Sequence, residues 1–137
     1  MKLSTKSTYG LRAMVNIAAC NGKSAVPIKD IAQKEGISSV YLEQLLNKLR
    51  RKDLVRSVRG PKGGYVLSRD ASKITVGDIV KTLEGNISPV DCASGRESWK
   101  SACGRSKTCV AKIVWTKLAK AIDDCLEWVT LADLLKG

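Results

Sequence analysis

Between Val26 and Ser68 the residues fall in an order that few folds accommodate. Val26-Pro27-Ile28 opens a short stretch, about Ile28 to Lys34, in which Ile28, Ile31 and Ala32 share one face. Gly36-Ile37-Ser38 then makes a turn, and Ser38 or Ser39 can cap a longer helix. In that helix Tyr41, Leu42, Leu45, Leu46 and Leu49 recur every three or four residues, the rhythm of one buried face. Short helix, glycine turn and longer helix make a helix-turn-helix. The longer helix ends in Lys48, Arg50, Arg51 and Lys52. Two β-prone runs follow, Leu54–Arg59 and Tyr65–Ser68, on either side of Gly60-Pro61-Lys62-Gly63-Gly64. That pattern predicts a hairpin with Arg59 and Lys62 at or beside its tip. A hairpin directly behind such a helix reads as the wing of a winged helix.

The flanking segments complete one domain, as suits 137 residues. A first helix is predicted from about Thr5 to Cys20, with Leu11, Met14, Val15 and Ala18 at helical spacing and Asn21-Gly22 as its stop. Cys20 closes that stripe and reads as a small buried hydrophobe. Thr75, followed three residues later by Asp78, resembles a capping box for a short helix to about Leu83, which Gly85 ends. From Gly85 to Lys107 no hydrophobic period is visible, an unusual length for an ordered connection without a function. A last long helix runs from about Cys109 to Val129. Its stripe of Val110, Val114, Leu118, Ala121, Cys125 and Trp128 has the rhythm of helix packing. Little chain remains to cover the stripe, so a second copy is expected to bury it, with Cys125 as core on the seam. Thr130 to Asp133 resembles the cap of a short terminal helix. The expected fold is mainly α with a small β-hairpin. It divides into a winged helix-turn-helix (1–84), a cysteine-containing loop (85–108) and a dimerisation helix with its tail (109–137).

Charge narrows the function. Residues 1–75 carry 15 Lys/Arg against 5 Asp/Glu, whereas residues 76–137 carry 9 against 8. Almost the whole net charge of +11 therefore lies in the first half, which points to a polyanion as partner. The absence of histidine excludes Ser–His and Cys–His catalysis, histidine metal ligands and imidazole pH sensing. No apolar run approaches the roughly 18 residues of a membrane span, and Met1-Lys2-Leu3-Ser4-Thr5 lacks the apolar core of a signal peptide. A cytoplasmic location and no membrane partner are expected. In such a chain Cys20, Cys92, Cys103, Cys109 and Cys125 indicate metal binding, redox chemistry or burial rather than a disulfide framework. Nothing resembles a substrate pocket, a phosphate loop opening a helix or a paired-carboxylate site. An enzyme or electron carrier is therefore disfavoured.

The segments "SSVYLEQLLNKLRRKDLV" (38–55) and "SVRGPKGGYVLSRDASKITVGDI" (57–79), followed by three cysteines, resemble the IscR-type family of bacterial winged-helix transcriptional regulators. The resemblance spans essentially the whole chain. It implies a homodimer joined through the long C-terminal helix, a partly palindromic operator in double-stranded DNA, and in some relatives an iron–sulfur cluster that senses iron, cluster supply, oxygen or nitric oxide. A dimer's two recognition helices can enter major grooves about 34–36 Å apart. Ser38, Ser39, Tyr41 and Gln44 lie on the early part of the recognition helix, and the Gln44 amide can pair bidentately with adenine. Tyr41 can instead pack beside Leu42 and Leu45. Arg59 suits a narrow, negative minor groove. Lys6, Arg50, Arg51 and Lys62 are expected to contact phosphate.

Cys92-x10-Cys103-x5-Cys109 lacks zinc-knuckle spacing. Three thiols near Lys100, Arg105, Lys107 and Lys112 suit a soft iron–sulfur centre better than a hard cation. The best-known family pattern has a tighter first spacing and a histidine three residues after the third cysteine; this chain has Lys112 there. Ammonium is a poor ligand. The fourth donor is open among Glu43, Asp91, Glu97, a hydroxyl, an exogenous thiol, Cys20 and Cys125. The resemblance allows a ligand from the partner subunit's N-terminal region, and Glu43 is favoured because it would tie the cluster to the base-reading helix. The resemblance favours 2Fe–2S over 4Fe–4S. A metal-free thiol switch on the same DNA-binding dimer is the alternative.

Overall fold

The computed structural model of the chain describes residues 3–20, 24–93 and 108–137. Helix α1 (Thr5–Ala19) is capped by the Ser4 side chain, which accepts from the Lys6 amide. Helix α2 (Ile28–Glu35) follows Pro27 without a side-chain cap and ends at Gly36, whose φ of 66° is the left-handed conformation that lets the chain turn sharply. Helix α3 (Ser39–Arg51) settles which serine caps it: Ser38 Oγ accepts from the Tyr41 amide.

Strands β1 (Val55–Val58) and β2 (Gly64–Leu67) pair antiparallel, with Val55 opposite Leu67 and Val58 opposite Gly64. A piece the sequence did not announce joins them. Val26 and Tyr65 exchange backbone hydrogen bonds of 3.0 and 2.9 Å, so the residue ahead of α2 pairs with the wing. Gly64 makes this possible. Its φ is 150°, and a Cβ there would run into the Val26 carbonyl.

A 3-10 turn at Ala71–Lys73 leads into helix α4 (Val76–Glu84), which carries the expected capping box between Thr75 and Asp78. After a second 3-10 turn at Asp91–Ala93 come helix α5 (Lys112–Trp128) and helix α6 (Leu131–Lys136). Thr130 and Asp133 form a second capping box, as the sequence suggested. Helix α5 starts three residues later than the expected Cys109. Lys112 and Ile113 donate to the carbonyls of Cys109 and Val110, three residues back, so residues 109–111 form a tighter turn before α-helical bonding begins.

The core gathers Met14 and Ile17 of α1, Ile31 of α2, and Leu42, Leu45, Leu46 and Leu49 of α3, together with Leu54, Ile74, Ile79 and Leu131. Each Leu of the α3 stripe is at most 2% exposed, a burial worth roughly 1.5–3 kcal/mol apiece before entropy is counted. A smaller cluster of Val76, Val80 and Ile87 receives Ile122 and Leu126 of α5. Among the described residues nothing covers the other face of α5: Val114 is 57% exposed, Leu118 41% and Trp128 84%. One cysteine expectation changes here: Cys20, expected to be buried, is only half-buried at the end of α1. Cys125 is exposed in the single chain, on a helix that turns Ile122 and Leu126 inward, and its expected place on a seam between two copies is a matter for the dimer. The chain is thus a mainly helical winged helix-turn-helix with one small hairpin and a long C-terminal helix. Among the described residues no helix is long and apolar enough to cross a membrane.

Candidate nucleic-acid interface and cysteine segment

The leucine stripe consumes one side of α3, which leaves Ser39, Val40, Glu43, Gln44, Lys48, Arg50 and Arg51 outward. Ser38 is exposed, but its Oγ already accepts the capping hydrogen bond at 3.1 Å. Val40 was not singled out from the sequence. It lies off the leucine rhythm and is 68% exposed, and an apolar side chain there suits a thymine methyl group. The signal was present: a large apolar residue in the first turn that fits no inward position.

Tyr41 occupies the seam between α1 and α3. Its ring meets Tyr9 edge-on, with centroids 6.4 Å apart and planes at 88°, and its hydroxyl lies 3.1 Å from Thr5 Oγ1. The Arg12 guanidinium sits 5.8 Å from the Tyr9 ring centre. Tyr41 is therefore half-buried and tied to α1, the packing alternative foreseen for it, at the base of the reading face. Lys6 is exposed on the first turn of α1.

Arg59 and Lys62 are exposed on the loop joining β1 to β2. The root of the wing faces α3. Burial raises the Tyr65 phenol above its ordinary pKa, the Glu43 charge adds to this, and Arg50 opposes it. Glu43 thus stands on the reading face with Arg50 and Tyr65 for neighbours. Among the described residues, ion pairs join Arg12 to Glu35, Lys81 to Asp123 and Glu127, and Lys120 to Asp124. None of them engages Lys6, Arg50, Arg51, Arg59 or Lys62. A surface whose cations on helix and wing are held in none of these ion pairs can bind a polyanion by releasing its condensed counterions.

Cys92 lies in the 3-10 turn that packs on α5, and Cys109 in the turn ahead of α5; both are half-buried free thiols. Cys103, Glu97 and the Asp91 side chain lie outside the described residues. Among the described residues no three potential ligands of the His, Cys, Asp or Glu type are gathered for a metal.

Residues 3–137 match the family model Rrf2, described as an iron-dependent transcriptional regulator. The chain is 37% identical to the HTH-type transcriptional regulator IscR of Sodalis glossinidius over 137 residues, all of this chain and 80% of that protein. Among solved structures, CymR (YrzC), the global cysteine regulator of B. subtilis, superposes with a TM-score of 0.80 at 40% identity, covering 98% of this chain and 95% of the other. T. potens IscR gives 0.78 at 41%, covering 99% and 87%. With its winged helix-turn-helix, exposed reading helix and these relatives, the chain belongs to the Rrf2 family of DNA-binding transcriptional regulators and not to an enzyme family.

Proposed function

We propose that the chain works as a homodimer that binds a partly palindromic operator and reports cluster, iron or oxidative and nitrosative status through Cys92, Cys103 and Cys109. The observation that carries the sensing role is the seat of Cys92: its turn packs on α5, and Cys109 lies in the turn that leads into that same helix. A change at these thiols acts directly on the helix that meets the second copy. The outward face of Val114, Leu118 and Trp128 supports the dimer, since an apolar face of this size is normally covered.

On DNA, Gln44 reads base edges in the major groove beside Ser38, Ser39 and Tyr41, and Arg59 enters the minor groove. Lys6, Arg50, Arg51 and Lys62 hold phosphates and set the register. The donor set fits an iron–sulfur cluster in kind: cysteine thiolates are its usual ligands, and this segment offers three of the usual four. Cys92, Cys103 and Cys109 would hold it, with 2Fe–2S favoured, and the cluster when bound supplies a redox-sensitive, oxygen-sensitive iron centre. Glu43 is the proposed fourth donor, from the partner subunit. The reading predicts a cytoplasmic protein with no membrane partner.

The test is a visible spectrum of protein purified without oxygen, with iron and sulfide counted per chain. Sulfur-to-iron charge-transfer bands with matching iron and sulfide are expected, lost in Cys92→Ala, Cys103→Ala and Cys109→Ala and weakened in Glu43→Ala. A colourless, iron-free protein after anaerobic reconstitution would sink the cluster. It would favour a second reading, a metal-free thiol switch, for which the likeness to the cysteine regulator of B. subtilis speaks.

A further inference from the structure

Away from the reading face and the cysteines, one knot of polar groups ties distant parts of the chain. Ser7, in the first turn of α1, is the one polar residue buried among the described residues, at 3% exposure. Its Oγ donates to Glu84 Oε1 at 2.7 Å. Ser4, the cap of α1, donates to the same oxygen from its backbone amide at 2.9 Å and from its hydroxyl. The carboxylate also faces the positive end of the α1 dipole, where negative charge is favoured. Burial works against the charge, yet the hydrogen bonds from Ser4 and Ser7 prevail and hold the carboxyl below its ordinary pKa.

Each end of this knot leads to a functional region. Glu84 is the last residue of α4, and the segment that carries Cys92 leaves at Gly85. Lys81, one turn earlier, holds Asp123 and Glu127 of α5 at 3.2 and 3.0 Å. On the α1 side, Thr5 follows Ser4 directly and hydrogen-bonds the Tyr41 hydroxyl of α3. Helices α1 and α4 also approach so closely that a Cβ on Gly10 would strike the Leu83 side chain.

We propose that Glu84 is a positioning residue for DNA reading: by clamping Ser4 and Ser7 it fixes the start of α1, and through Thr5 and Tyr41 it sets how α3 presents Ser39, Val40 and Gln44. The inference rests on the operator-reading role proposed above. A clamp that merely stabilised the fold would leave base discrimination alone, and that difference makes it testable.

The probe is a duplex enriched from a randomised pool by the unmodified full-length protein, compared with a scrambled duplex of the same composition. Glu84→Ala is expected to lower the ratio of the two affinities about tenfold, inside the ~5–150-fold range of usual coupling free energies. Tyr41→Phe, which removes the hydroxyl that Thr5 holds, lowers it too, and the double variant is no worse than the worse single one. Glu84→Gln keeps an oxygen acceptor for the serine hydroxyls and retains the ratio within about threefold. A folded Glu84→Ala protein with the unmodified ratio would overturn the clamp. So would losses that simply multiply in the double variant, since independent sites behave in that way. Should Glu84→Ala fail to fold, Ser4→Ala removes one of the bonds to the same oxygen, and an unchanged ratio there has the same force. If the unmodified chain enriches no sequence at all, operator reading fails and the clamp with it; enrichment with an inert clamp overturns the clamp alone.

Discussion

The winged-helix body and helix α5 both show an apolar stripe at helical spacing, yet they are completed in different ways. In α3 every stripe leucine is at most 2% exposed. In α5 no residue is buried at all, although the helix carries Val114, Leu118, Ile122, Leu126 and Trp128. The body closes its core from its own segments and Leu131 of α6. Helix α5 lends Ile122 and Leu126 to a side cluster and turns the remainder outward. The lesson is that periodicity identifies an adhesive face without naming what adheres to it.

The sharpest way to break the comparison is a matched pair of substitutions. Leu46→Ala should cost the folded protein about 3 kcal/mol in urea unfolding, the usual loss for a fully buried leucine. Leu118→Asp should leave far-ultraviolet dichroism nearly unchanged and lower the mass seen in sedimentation to that of one chain. If Leu118→Asp unfolds the chain, or leaves the mass of the unmodified protein unaltered, the contrast between the regions is false.

Within the body, Arg59→Ala should weaken binding to a selected duplex by about tenfold and reduce discrimination, as loss of a groove contact does. Lys62→Ala should weaken selected and scrambled duplexes alike and flatten the salt dependence by about one counterion. Equal behaviour of the two would remove the assignment of Arg59 to the minor groove.

The smallest effect concerns acid. The folded-state pKa of Glu84 is lowered, so its contribution is complete above the unfolded-state value and is lost as pH falls through the lowered folded one. The stability difference between unmodified protein and Glu84→Gln should therefore shrink as pH drops from neutrality through the carboxylate range. A difference that stays constant with pH would mean that the Glu84 charge does not act in this way.

Much of the fold was legible because its signals are local. Gly36 in the turn, a cap at Ser38 or Ser39, the leucine rhythm of α3 and the boxes at Thr75–Asp78 and Thr130–Asp133 each involve residues within one or two turns. The wing followed from a glycine-proline cluster between β-prone runs. The reading face was only half legible. Gln44 and the cations could be picked by residue type, while Val40 and the partnership of Tyr41 with Tyr9 and Thr5 depend on how α1 crosses α3.

The sequence alone thus determined the order of elements, the two capping boxes, the basic half and the cysteine spacing, since each depends on neighbours along the chain or on composition. Only the tertiary structure decided that Val26 would pair with Tyr65, that α5 would turn Ile122 inward and Trp128 outward, and that Glu84 would hold Ser4 across 80 positions. Those choices arise where separate faces compete for one volume. No local preference encodes the result, because its free energy belongs to the packed whole.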